Sequence, residues 1–97
     1  MGRYLLLWEA DESKIPIAPE ERKFGWQMAT EMVEQDIKDG LVKDYGAFVG
    51  QPNGFTIAEG TRDEIINMTM KFMPFFRFKV MPLASIDQVK EAIKTIA

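Results

Sequence analysis

Glu9, Glu59, Tyr45 and Arg77 are the residues of this chain whose chemistry could move a proton. Two carboxylates sharing one site cannot both ionise freely, so one acquires a raised pKa and can serve as a base. An arginine beside them would hold an anionic group. Other chemistry is closed off by composition. The chain has no histidine, which removes the usual haem ligand, the commonest metal ligand and the usual general base. It has no cysteine, hence no thiolate and no disulfide, in keeping with a reducing, cytoplasmic location. Ser13 and Ser85 have no histidine to activate them. The acids of "EADE" (9–12) read as a solvated turn rather than a spaced set of metal ligands. Neither a metal nor a cofactor is expected.

A second group of residues suggests a space rather than a reaction. Gly46, Ala47, Ala58 and Gly60 are small residues on strands that should pair. Missing side chains there leave either close helix-on-sheet packing or room for a small ligand. The walls of such a room would be Trp8, Trp26, Phe55 and methionines, with Gly46 and Ala58 beneath.

These residues must be placed by elements, and the elements are legible. "RYLLLWEA" (3–10) is a short apolar run that reads as a strand. Pro19 suits the first turn of a helix, Glu20 and Glu21 favour its positive end, and Gly40 stops it. On that helix Phe24, Met28 and Met32 form one stripe. Trp26, Ala29, Val33 and Ile37 form another, wide enough together to touch the sheet and something else. "LVKDYGAFVG" and "FTIAEG" read as a hairpin around "QPNG", with Gly54 free to take positive φ.

Thr61 and Glu64 form a capping-box pattern that opens a second helix with Ile65, Ile66, Met68 and Met73 inward. Pro74 ends it. In "FFRFKVMPL" Phe76, Phe78 and Val80 alternate with Arg77 and Lys79, the mark of a strand. Ser85 and Gln88 open a last helix with Ile86, Val89, Ala92, Ile93 and Ile96 inward.

The order β-α-β-β-α-β-α predicts one α+β domain over residues 1–97, ferredoxin-like, with strand order 4-1-3-2 and an added C-terminal helix. Taking the first and third strands as parallel neighbours puts Glu9 and Glu59 at one end, with Arg77 and Tyr45 nearby. The sheet face away from the helices would carry Leu5, Leu7, Phe48, Ala58 and Met81, too apolar for water. A homodimer stacked through that face covers it.

In "RYLLLWEAD", in the hairpin "GAFVGQPNGFTIAEG" and in the step "FKVMPLASIDQV" the chain resembles the dimeric α+β-barrel superfamily, in which two ferredoxin-like protomers stack sheet to sheet. It is similar, more narrowly, to small muconolactone isomerase-like domains of unknown function. The resemblance implies a dimeric barrel and a site between sheet and helices. It transfers no catalytic residue, because the histidines of the haem and histidine-dependent branches have no counterpart here.

Charge narrows the partners. A net charge of −3 disfavours nucleic acid and anionic membranes. "KDYGAFVG" (43–50) resembles an RNA-binding aromatic strand, but Asp44 and Ala47 replace its glycine and a stacking aromatic, and it lies on the wrong strand. The apolar stretch 68–83 carries Lys71, Arg77 and Lys79 and is too short to span a bilayer. The expected function is therefore a homodimer holding a small apolar or weakly acidic ligand between sheet and helices. The alternative is a cofactor-independent isomerase or monooxygenase using the strand-end carboxylates.

Overall fold

The structure, a computed structural model, describes residues 2–97. Its elements are β1 (Gly2–Ala10), α1 (Pro19–Lys38), β2 (Val42–Ala47), β3 (Asn53–Gly60), α2 (Arg62–Met70), β4 (Phe76–Leu83) and α3 (Ile86–Ile93). The sheet has four strands in the order β2-β3-β1-β4, and every neighbouring pair is antiparallel. This is the expected ferredoxin-like βαββαβ arrangement with an added helix.

Two expectations are corrected here. First, β1 and β3 are antiparallel, with Glu9 opposite Asn53 and Arg3 opposite Glu59. The crossover through α1 makes β1 and β2 parallel. The hairpin then reverses the chain, so β3, lying between them, opposes both. Second, the sheet is open, which contradicts a sheet-to-sheet dimeric barrel. β2 and β4 are its two edges, and no ladder joins them. The ladders of β1 run without a register shift, so nothing there bends the sheet toward closure.

The helices start and stop where their end residues dictate. Pro19 occupies the first turn of α1 with Glu20 and Glu21, and Gly40 takes φ 81° just past its C-cap. At α2 the Thr61 hydroxyl accepts from the Glu64 N–H at 3.1 Å, and the Glu64 carboxylate accepts from the Thr61 N–H at 2.9 Å. The Thr61 backbone N–H, and after it the Thr61 hydroxyl, hold the Glu64 carboxyl below its ordinary value. Thr61→Ala should cost about 1 kcal/mol in urea unfolding at neutral pH. A depressed carboxyl stabilises above its unfolded pKa and loses that contribution as pH falls through the folded value. The gap between variant and wild type should therefore narrow in acid. A gap that stays constant down to pH 3 would show that the Thr61 hydroxyl does not help hold the Glu64 carboxylate.

Alternation along the strands sorts the two sheet faces. Leu6 and Ala58 are completely buried on the helix side and join Val42, Ile65 and Met68 as the core. Each buried side chain of leucine size contributes roughly 1.5–3 kcal/mol. Ala58 therefore belongs to the core and not to the outer face, and Phe48 lies beyond β2 in the turn. The outer face instead carries Leu5, Leu7, Phe55, Ile57 and Met81, half-buried by one another, among Arg3, Glu59, Glu9, Arg77 and Lys79. In α2, Ile65 and Met68 point inward as expected, whereas Ile66 is exposed; the helix ends at Met70, short of Pro74, and Met73 lies exposed in the turn beyond it.

The last helix departs most from expectation. Every residue from Ala84 to Ala97 is exposed, so α3 packs on none of its own sheet. The molecule is 60 Å long and only 25 × 21 Å across.

Candidate functional site

The space between sheet and α1 is built around Trp8. Its side chain leaves the helix-facing side of β1, and its indole N–H donates to the Phe55 carbonyl at 3.3 Å. Its ring lies over Gly54 on β3 and reaches Tyr45 on β2, stacking with centroids 5.6 Å apart at 7°. Only glycine permits this: a Cβ at Gly54 would meet the Trp8 ring at 2.5 Å and collide with the Gly46 carbonyl. Burial raises the Tyr45 phenol above its ordinary pKa, so Tyr45 is a neutral hydroxyl near pH 7 and not a base.

Phe76, at the start of β4, meets Trp8, Trp26 and Phe72 edge-on, each with centroids 5.9 Å apart. These rings, with Ala29 and Val33 of α1, enclose a chamber of about 50 Å³. Its polar groups are Thr30, Thr56, Tyr45 and Asp36. The Thr30 hydroxyl is already committed to the Trp26 carbonyl at 2.7 Å.

Asp36 is the unusual member. It is 4% exposed, in the last turns of α1. One carboxylate oxygen accepts from Lys71 Nζ at 2.6 Å, while Oδ2 is buried without a hydrogen-bond partner. A buried carboxylate oxygen lacking a donor is costly, so the site is chemically incomplete. On its far side Asp36 also borders a mixed-charge cleft of about 430 Å³ with Asp39, Lys43 and Glu64.

A second space adjoins the chamber. Trp26, Ala29, Phe72 and Phe76 also line a groove of about 640 Å³. Its apolar lining includes Ile15, Phe24, Met28, Met32 and Phe75, and the charged Lys14, Glu20, Glu21, Arg22 and Lys71 line it too. Phe24, Met28 and Phe75 are each about half or more exposed, at 63%, 49% and 56%. This is the "something else" that the second stripe of α1 faces.

The proton-moving set is not assembled. Glu9 and Arg77 do meet, at 3.5 Å, but both are mostly exposed, and such pairs contribute little. Glu59 lies at the other end of the strands, beside Arg3 at 3.8 Å and Lys43 at 3.9 Å. Six residues of β1 separate the two ends, roughly 20 Å. Tyr45 projects from the opposite face to Glu9.

The ligand-binding set divides. Trp8 and Trp26 wall the chamber together. Gly46 and Phe55 are cross-strand partners on the outer face, where the Phe55 ring covers the place a Gly46 side chain would take. Ala58 is in the core. Sequence reading passed over Asp36, Lys71, Thr56, Phe72 and Phe76. Asp36 carried a usable signal: it follows Ala29 by seven residues, which places an acid on the inward stripe.

No group of three or more acidic side chains suited to a metal ion occurs among the described residues. No helix there is long and apolar enough to cross a membrane. Compared with known proteins, the chain matches no protein-family model and no curated protein. With no family match and an open sheet, membership of the dimeric α+β-barrel superfamily or of the muconolactone isomerase-like domains is not upheld; what remains is a small α+β ferredoxin-like topology.

Proposed function

We propose that the chain is a small-molecule-binding module whose ligand has an apolar body and a hydrogen-bond-donating head. The body lies in the groove between α1 and the segment Phe72–Phe76. The head passes Trp26 and Phe76 into the chamber and donates to Asp36. The observation that carries this reading is the buried, partnerless Oδ2 of Asp36, beside a mainly apolar chamber whose other polar side chains are Thr30, Thr56 and Tyr45. A weakly acidic hydroxyl, such as a phenol, or an amine supplies the missing donor. A carboxylate head would meet like charge and is disfavoured. The chamber holds only a few heavy atoms, so the head is small.

Binding brings the head against Trp8 and Trp26, so tryptophan fluorescence reports it. Long-chain phenols and alkylamines should quench with saturation, and their O-methyl or N,N,N-trimethyl counterparts should bind at least tenfold more weakly. Asp36→Asn should erase most of that preference. Equal affinity for a phenol and its methyl ether would overturn the reading, because the head would then not be donating.

A further inference from the structure

We infer that α3 and the turn after it form an arm that seats in the α1 groove of a second copy of this chain, each copy roofing the other's groove. The arm is a formed helix with an apolar stripe and no partner. Ser85 and Gln88 close a capping box at its start, with bonds of 3.1 and 2.8 Å. Ile86, Val89, Ile93 and Ile96 recur along one face and are 69%, 42%, 57% and 75% exposed. A helix of eight residues is not stable alone in water and needs something to pack on. Its own body does not supply it. The radius of gyration is 16.0 Å, against roughly 12.5 Å for a compact chain of this length. Only Ala84 and Ser85 separate β4 from α3.

The groove is the surface that matches. The stripe from Ile86 to Ile96 is roughly 15 Å long, and the groove-lining part of α1, Glu20 to Met32, roughly 18 Å. Phe24, Met28, Met32 and Phe75 give the groove an apolar stripe to meet that of α3, beside the charged Lys14, Glu20, Glu21, Arg22 and Lys71, and being on one chain arm and groove are present in equal number. The outer sheet face is the poorer match: Leu5, Leu7, Phe55, Ile57 and Met81 already half-bury one another, whereas Phe24, Met28 and Phe75 stand out into solvent. Four aliphatic side chains per arm, with the surface they cover and the two-fold repeat, bury on the order of 1,000–1,900 Å². That overlaps the roughly 1,200–2,000 Å² of stable specific interfaces. Assembly stands on these observations alone; that the arm also roofs a bound ligand rests on the binding reading above.

The test therefore uses no ligand. The native chain should sediment at twice 11.1 kDa at micromolar concentration. The variant carrying Val89→Asp and Ile93→Asp should sediment as a monomer with an unchanged near-ultraviolet spectrum of its buried aromatics. Because the chain has no cysteine, introduced pairs report without background. Val89→Cys combined with Phe24→Cys, Met28→Cys or Met32→Cys should give a covalent dimer on oxidation in at least one combination. A native monomer, a dimer that survives the aspartates, a cross-link within one chain, or cross-linking of Val89→Cys to Leu5→Cys in place of the groove would each overturn it.

Discussion

Lys71→Met should destabilise the protein by about 3 kcal/mol, a large part of the roughly 5–15 kcal/mol expected for a chain of this length. Asp36 is almost fully buried, and Lys71 is its one hydrogen-bond partner, through Oδ1. Removing the ammonium leaves a carboxylate with no donor on either oxygen. The lysine itself is half-exposed and loses little. The cost is therefore the stranded charge, not the pair. Lys71→Met with Asp36→Leu should recover most of the loss, since both polar partners then go together. Urea unfolding of the two singles and the double completes the cycle. A Lys71→Met variant within 1 kcal/mol of wild type would mean that water satisfies Asp36. The binding proposal would then lose the incomplete carboxylate on which it stands.

Gly54→Ala should be comparably severe, about 3 kcal/mol, at the upper end for overpacking. The added methyl would strike the Trp8 ring and the backbone carbonyl of Gly46 on the neighbouring strand. A ring can shift, but a sheet carbonyl cannot without breaking its ladder. The near-ultraviolet signal of the Trp8–Tyr45 stack should fall along with the stability. Gly50→Ala is the informative contrast. Gly50 has φ 82° and open space around it, so its cost is backbone strain alone, about 1–2 kcal/mol, with the stack unaffected. Equal losses at both positions would show that close approach at Gly54 is not what positions Trp8.

The two glycines also mark how far the sequence could be read. "QPNG" announced a turn, and a turn is there, but positive φ falls on Gly50 and not on Gly54. Which glycine bends and which makes room depends on what lies across the strand, and that neighbour is distant in sequence. The same limit governs Glu9 and Glu59. Each was correctly placed near a strand end, but whether the two ends coincide depends on strand direction, which the crossover and hairpin set jointly.

The sequence by itself determined the elements, their order and the ends that a cap or breaker marks, though α2 stops at Met70 before Pro74 and β2 at Ala47. Those follow from local causes: Pro19 and Gly40 bounding α1, the boxes at Thr61 and Ser85, and the period of two in "FRFKV". Local chemistry acts within a few residues, so a window of sequence contains it. Only the tertiary structure decided the site. Asp36 becomes a stranded acceptor because the C-cap of α2 brings Lys71 to one of its oxygens while the other is buried with no donor in reach. The same holds for the arm: the stripe of α3 is plain in the sequence, but that its own sheet leaves it uncovered is a property of how β4 ends. Burial and pairing are set by contacts between residues far apart in the chain, and no local pattern encodes which of those contacts will be made.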